Sequence, residues 1–139
     1  MIVLDTNVLS ELMRPAPEPR VAEWVDSFPV HQLATTSITV AEILYGIRRM
    51  PSGKRKENLV AIAELIITED FHGRVLSFDE AAAVEYAVLV TERLSAGFPL
   101  SMADAQIAAI CRAQGCGLAT RNTADFSHLD LTLLNPWAP

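Results

Sequence analysis

Acidic and amide side chains recur in this sequence where predicted strands end and where the helices after them begin. Five such residues stand out: Asp5, Glu42, Asp104, Asn122 and Asp125. Carboxylates brought together in a partly dry cleft repel one another, and a divalent cation that neutralises them allows such a cluster to persist. Ligand sets made only of oxygen atoms favour hard ions such as Mg²⁺ or Mn²⁺. The sequence therefore predicts a hard-metal site, provided that the fold brings these residues to one place.

Short apolar segments alternate with amphipathic helical patterns along the chain. The predicted strands are 1–5, 32–36, 74–78, 117–121 and 131–134. One intervening helix repeats apolar residues at the i, i+3, i+4, i+7 spacing of a single buried face: Val40, Ile43, Leu44 and Ile47. This alternation predicts an α/β fold with a mostly parallel five-stranded sheet and helices on both faces. Ligands of such sheets bind at the carboxyl ends of the strands, which is where the five polar residues fall.

Local signals predict where the helices begin and end. The expected N-caps are Thr6 or Asn7, Ser52, Asp79 and Ser101. Gly97 and Gly115 are expected to end the last two of these helices. The helix after Ser52 is expected to bury an apolar stripe made of Leu59, Ile62, Ala63, Ile66 and Ile67.

Asp5 and Glu42 also have purely structural interpretations. Asp5 could begin a helix, where a carboxylate meets the positive end of the helix dipole. Its position after three apolar strand residues favours a site instead. Thr39 and Glu42 have the spacing of a capping box. A helix that starts at Thr36 or Ser37 would instead leave Glu42 free.

Asp104 lies three residues after Ser101, so this pair could also be a capping arrangement. The helical neighbours of Asp104 on one face are apolar: Ile107, Ala108 and Cys111. A carboxylate in line with a buried face is expected to point inward, towards the edge of the sheet. That placement favours a site over a solvated cap.

Asn122 and Asp125 are the less certain members of the set. Asn122 is neutral, and it could orient a water or a carboxylate, or form a turn. Asp125 could cap a one-turn helix or bind nearby backbone instead of a metal. The sequence leaves open which of the two completes the site.

The composition limits the classes of function. The chain has 139 residues, which suits one domain over 1–139, and a net charge of −6, which argues against a general nucleic-acid coat protein. Two cysteines, Cys111 and Cys116, exclude a disulfide scaffold. No secretory signal and no apolar run long enough for a bilayer is found, so no membrane contact and a cytoplasmic location are expected.

Five of the eleven basic residues lie within nine positions: Arg48, Arg49, Lys54, Arg55 and Lys56. We call this group the basic cluster. It could be a solvated connection between two helices. It could also contact phosphates or an acidic partner.

Four motifs, in this order and at this spacing, resemble those of the PIN-domain ribonucleases. They are Asp5-Thr6-Asn7, Ser37 to Gly46 around Glu42, Ser101 to Ala108 around Asp104, and Ala119 to Phe126 followed by Leu134 to Trp137. The last of these looks like the VapC toxins, particularly the FitB-like branch. The resemblance covers essentially the whole chain.

This resemblance implies a fold, a site and an activity. Asp5, Glu42 and Asp104 would be the acidic triad that holds Mg²⁺ or Mn²⁺, with Thr6 and Ser101 as supporting polar groups. The fourth family position falls at Asn122, where many PIN domains carry Asp, so Asp125 could take that part. The implied reaction is endonucleolytic RNA hydrolysis by a metal-activated water, which leaves a 5′-phosphate and a 3′-hydroxyl.

The resemblance also implies partners. VapC toxins belong to type II toxin–antitoxin systems, usually form homodimers, and pair with a small VapB- or FitA-like antitoxin. The antitoxin tail occupies the toxin cleft, and its N-terminal part binds operator DNA. Two alternatives remain: a PIN fold that binds RNA or antitoxin without cutting, which Asn122 favours, and an aspartyl-phosphate phosphatase. The phosphatase is disfavoured because Asn7 replaces the second Asp of a D-x-D motif.

Overall fold

A five-stranded, fully parallel sheet lies at the centre of the computed structural model, which describes residues 1–139. The strands are β1 (Ile2–Leu4), β2 (Leu33–Thr36), β3 (Val75–Leu76), β4 (Gly117–Ala119) and β5 (Leu133–Leu134). Their order is β3-β2-β1-β4-β5, so the first strand is central. The predicted α/β class and parallel sheet are confirmed. All five strands are shorter than the segments predicted for them.

Six α-helices connect and cover the strands. They are α1 (Thr6–Leu12), α2 (Pro19–Asp26), α3 (Ser37–Arg48), α4 (Lys54–Leu65), α5 (Glu80–Ser95) and α6 (Met102–Gln114). Short 3₁₀ turns lie at Val30–Gln32 and Thr123–Phe126, and a π-helical turn at Ile66–Asp70 follows α4. None of the helices has the length and apolarity needed to span a bilayer.

The helix caps match the predictions at two helices and differ at two others. Asp79 and Ser101 cap α5 and α6 as expected, by accepting the backbone N–H of the third helical residue. The predicted cap of α1 at Thr6 or Asn7 is wrong. Asp5 is the cap, because its backbone is still extended and its carboxylate accepts the N–H of Thr6.

The predicted cap of α4 at Ser52 is also wrong. Gly53 occupies the cap position, and no side chain bonds to the free N–H groups there. Gly53 has a φ of +155°, a conformation that residues with a side chain rarely adopt, so the chain turns into the helix at this glycine.

The predicted apolar stripe of α4 is only partly buried. Ala63 is buried, but Ile62 is exposed. The helix packs mainly against α3 and the π-helical turn that follows it. Its apolar side chains Leu59 and Ile62 instead line a surface groove between α3, α4 and α1.

Both faces of the sheet are covered by apolar side chains. The α5 and α6 side buries Val3, Leu118, Ile107, Ile110 and Leu89. The α1 and α2 side buries Leu4, Val8, Val21, Leu33 and Phe71. The two cysteines are free thiols, as the sequence predicts.

Arg93 joins the end of α5 to the segment that carries Asp125. Its buried guanidinium donates to three backbone carbonyls, those of Phe98 at 2.6 Å, Ser127 at 2.9 Å and Asp125 at 3.1 Å. No carboxylate lies within ion-pair distance of it. The carbonyl oxygens alone therefore compensate this charge for its lost hydration.

Replacing Arg93 with Met is expected to lower the free energy of unfolding by about 3 kcal/mol or more, because three carbonyls lose their donor together. Urea unfolding of the metal-free chain measures this change. Arg48→Met is the matched control, since Arg48 is exposed and its guanidinium makes no hydrogen bond or ion pair, and it should cost less than about 0.5 kcal/mol. Equal effects of the two substitutions would contradict the role given to Arg93.

Candidate metal centre

The carboxyl edge of the sheet carries the predicted site residues. Asp5 directly follows β1, and Glu42 lies in α3, the helix that follows β2. Asp104 is the third residue of α6, and Asn122 and Asp125 lie in the segment after β4. Burial raises the pKa of Asp5, and the negative charges of Asp104 and Glu42 raise it further, so both of these carboxylates are within electrostatic reach of Asp5.

Asp5 is held in one orientation by its surroundings. It is 4% exposed. One carboxylate oxygen accepts the N–H of Thr6 at 2.8 Å, and the other accepts the hydroxyl of Thr120 at 2.8 Å and the amide of Asn7 at 3.4 Å. Burial raises the pKa of Asp5, and the hydrogen bonds from Thr120 and Thr6 offset part of that shift. The site therefore contains a buried carboxylate that is fixed by hydrogen-bond donors and that no basic side chain pairs with.

Thr6 links Asp5 to Glu42. Its backbone N–H donates to Asp5, and its hydroxyl donates to Oε1 of Glu42 at 2.6 Å. The hydroxyl oxygens of Thr6 and Thr39 lie 3.1 Å apart, and Thr36 continues this chain of hydroxyls at 3.3 Å from Thr39. Although Glu42 is exposed, its carboxylate is thus tied to the start of α1.

The residue at which α3 begins decides whether Glu42 belongs to a capping box with Thr39 or has a free side chain. Thr36 is the N-cap, and its hydroxyl accepts the N–H of Thr39 at 3.1 Å. Thr39 is therefore inside the helix and does not form a capping box with Glu42. The Glu42 side chain is left available for the site.

Asp104 takes part in only half of a capping box. The Ser101 hydroxyl accepts the N–H of Asp104 at 3.2 Å, but the Asp104 carboxylate accepts no backbone N–H in return. Burial raises the pKa of Asp104, the Ser101 side chain lowers it in part, and the charges of Asp125 and Glu42 raise it further. Asp104 is half-buried above the fully buried Ile107 and Ala108, as the apolar row predicts.

Asp125 is charged and Asn122 is neutral. The negative charge of Asp125 adds to the effect of burial in raising the pKa of Asp104. Asp125 lies within the 3₁₀ turn and its carboxylate makes no hydrogen bond, so neither a cap nor a backbone contact occupies it. Asn122 precedes the turn, and its backbone N–H donates to the hydroxyl of Thr120 at 3.1 Å. Its side chain is exposed and makes no hydrogen bond.

The sequence did not identify Thr36, Thr39 and Thr120 as hydroxyls that support the site, although Thr36 and Thr39 were expected as possible helix caps. Thr120 is fully buried and joins Asp5, Asn7 and the backbone of Asn122. The signal that could have found it is its position directly after a buried strand, the same signal that identifies Asp5.

The donor set fits a hard divalent cation. All of its charged members are carboxylates, and two of them, Asp5 and Asp104, have pKa values raised by burial and by neighbouring carboxylates. In their present positions no three acidic, histidine or cysteine side chains form a closed ligand set. A divalent ion bound at Asp5 would offset the mutual repulsion of these groups.

The metal-free chain is expected to show a pH dependence that these carboxylates cause. The folded-state pKa of Asp5 and of Asp104 lies above the ordinary 3.8, so the folded chain binds these two protons more tightly than the unfolded chain does. Their contribution to the free energy of unfolding therefore falls as pH rises from about 4 through the raised pKa values. Urea unfolding in EDTA at several pH values should show this fall as a difference between the natural chain and Asp5→Asn. A constant difference would contradict it.

A groove of about 960 Å³ connects this edge to the basic cluster. Thr6 and Glu42 line one part of it, and Lys54 and Arg55 line another. The basic cluster surrounds the turn between α3 and α4 and is largely exposed. The groove thus has negative charge at the candidate metal centre and positive charge beyond it.

The fold and the acidic edge together define an α/β protein with a group of carboxylates at the carboxyl ends of its parallel strands. The PIN domain family matches residues 2–131, and the chain belongs to that family. It is 40% identical to VapC ribonuclease Y4jK of Sinorhizobium fredii over 139 residues, and 39% identical to Toxin FitB of Neisseria gonorrhoeae over 137 residues. At least 99% of both chains is covered in each case. It also matches a structure of FitAB bound to an IR36 DNA fragment, with a TM-score of 0.93 and 39% identity over 100% of this chain and 97% of that one.

Proposed function

We propose that this chain, as a single PIN domain over 1–139, is the toxin of a type II toxin–antitoxin system and acts as a divalent-metal-dependent endoribonuclease. The observation that carries the proposal is the bridge made by Thr6 between two acidic side chains at the sheet edge. Its N–H holds buried Asp5 and its hydroxyl holds Glu42. The similarity to proteins named VapC ribonuclease and Toxin FitB supports the activity and the biological class.

In this proposal Asp5, Glu42 and Asp104 hold Mg²⁺ or Mn²⁺, and Asp125 and Asn122 complete the polar edge. When bound there, the ion would supply an activated water and would offset the charge that develops on the phosphate. Thr120 and Thr6 keep Asp5 in place, and Ser101 anchors the first turn of α6 so that Asp104 faces the edge. The RNA lies with its scissile phosphate at this edge, in the cytoplasm where such substrates occur.

The basic cluster gives an acidic chain a place to bind an RNA backbone. The net charge is −6, so the overall field repels RNA. Lys54 and Arg55 line the groove that leads from Glu42, and they are placed to contact phosphates beyond the cut. Affinity for RNA would then depend on the metal centre and on a few basic side chains.

The proposed protein partner is a small FitA-like antitoxin. The groove between α1, α3 and α4, which Ile43, Leu59 and Ile62 line with apolar surface, would receive the antitoxin tail. The antitoxin would bind operator DNA through its own N-terminal part. Exposed Val84 and Val88, one turn apart on α5, support a homodimer as the toxin unit.

The test is cleavage of total cellular RNA by antitoxin-free protein, with EDTA, Mg²⁺ or Mn²⁺. Discrete fragments that need the ion and carry 5′-phosphate and 3′-hydroxyl ends are expected. Cleavage that persists in EDTA, or fragments with 2′,3′-cyclic phosphate ends, would contradict attack by a metal-activated water. Metal and RNA binding without cleavage of any cellular RNA would favour the non-cutting PIN module.

A further inference from the structure

Arg121 lies beside the candidate metal centre but takes no part in it. It follows β4, and its backbone N–H donates to the side-chain oxygen of Asn7 at 3.1 Å. The amide nitrogen of the same Asn7 lies 3.4 Å from the carboxylate of Asp5. One side chain therefore connects the backbone of Arg121 to the buried carboxylate.

The Arg121 side chain extends over an aromatic ring. Its guanidinium carbon is 5.0 Å from the ring centroid of Trp137. Trp137 is half-buried against the apolar cluster beneath β1 and α1, and its carbonyl accepts a hydrogen bond from Arg20 at 2.8 Å. The ring is therefore a fixed support, whereas Arg121 itself is exposed.

A cleft of about 470 Å³ opens beside this pair. Its other wall comes from Glu11 of α1 and from the proline-containing segment between α1 and α2, which carries Arg14 and Glu18. Glu11 is already paired with Arg14 at 3.3 Å and accepts the backbone N–H of Glu18 at 3.0 Å. The charge of Arg121 has no such carboxylate partner, so it remains available to a ligand.

We propose that Arg121, supported by Trp137, forms a stacking subsite for one nucleotide of the RNA strand next to the metal centre. Nucleobases of single-stranded RNA stack on aromatic rings and on arginine planes, and the guanidinium also attracts the adjoining phosphate. The cleft has the volume range of small-ligand sites. The inference rests on the proposed function and adds a position at which the chain selects and orients its substrate.

Tryptophan fluorescence tests the contact directly. The chain has two tryptophans, so Trp24→Phe leaves Trp137 as the sole tryptophan fluorophore. A single-stranded RNA hexamer whose sequence the chain does not cleave, added with Mg²⁺, should quench this fluorescence to saturation. On the same background Arg121→Ala should weaken binding about tenfold. Arg121→Lys should weaken it about fivefold, because lysine retains the charge but lacks the plane.

Cleavage kinetics on a short RNA that spans one mapped cut provide the second test. Arg121→Ala should raise KM about tenfold and change kcat less than about threefold, since the subsite binds substrate away from the reacting atoms. Wild-type KM in both Arg121 variants, or full rescue by lysine, would overturn the stacking role. Quenching by the antitoxin but by no RNA would assign the cleft to the protein partner and overturn it as well.

The two tests separate this inference from the proposed function. If the chain cleaves RNA but Trp137 fluorescence and KM do not respond, only the subsite is wrong. If RNA quenches Trp137 and Arg121→Ala weakens that binding, but no RNA is cut, the nuclease proposal fails and the binding site stands.

Discussion

Asp104→Asn is expected to reduce RNA cleavage at least about 100-fold while the chain stays folded. Loss of an outer partner of a metal ligand typically costs about 10- to 100-fold, and a ligand itself should cost no less. Asparagine keeps the shape of the side chain but removes the charge that would hold the ion. Ser101 still caps α6 through the backbone N–H of residue 104, so the helix start is retained.

Initial rates on a mapped RNA, with far-ultraviolet circular dichroism of the same preparations, measure this effect. Asp26→Asn is the matched control, because it removes the same charge from an exposed side chain at the last residue of α2. The chain runs from there to the beginning of β2, which is the end of the sheet opposite the carboxyl edge. It should leave the rate within about twofold. A cleavage rate for Asp104→Asn within tenfold of the natural chain would remove Asp104 from the metal centre.

Asp5→Asn is expected to change activity and stability in opposite directions. Cleavage should fall at least about 100-fold for the reason given for Asp104. The metal-free chain should become more stable at neutral pH, because burial and the charges of Asp104 and Glu42 raise the pKa of Asp5 and so oppose its ionised form. The natural residue would thus be kept for the metal and not for the fold.

Urea unfolding at pH 7.5, with EDTA or with excess Mn²⁺, distinguishes the two contributions. The ion should raise the unfolding midpoint of the natural chain and have little effect on Asp5→Asn. A lower midpoint for Asp5→Asn in EDTA would mean that the capping role of Asp5 outweighs the cost of its buried charge. An equal response of both chains to Mn²⁺ would place the ion elsewhere.

The arrangement of elements could be predicted because it depends on local patterns. The apolar run after Met1 and the caps at Asp79 and Ser101 each act within a few residues. The position of Asp5 after such a run was sufficient to place it at the carboxyl edge. Its second role as the cap of α1, which the sequence offered as the alternative to a site, is confirmed.

The contacts of the supporting hydroxyls could not be predicted, because the two partners of each contact are distant in the chain. Thr6 and Thr39 are separated by 33 positions, and Thr120 and Asp5 by 115. Only the parallel pairing of β1 with β2 and β4 brings them together. The exposure of Ile62 has a similar origin, since a periodic stripe predicts an apolar face but not what covers it.

Direct measurement of Mn²⁺ binding tests the central claim, that the acidic edge is a divalent-metal centre. Electron paramagnetic resonance of free Mn²⁺, titrated with the antitoxin-free chain, gives the affinity without any RNA. The account predicts saturable binding by the natural chain and by Asp26→Asn, and at least tenfold weaker binding by Asp5→Asn and by Asp104→Asn. Equal affinity in all four chains, or no binding by the natural chain, would contradict it.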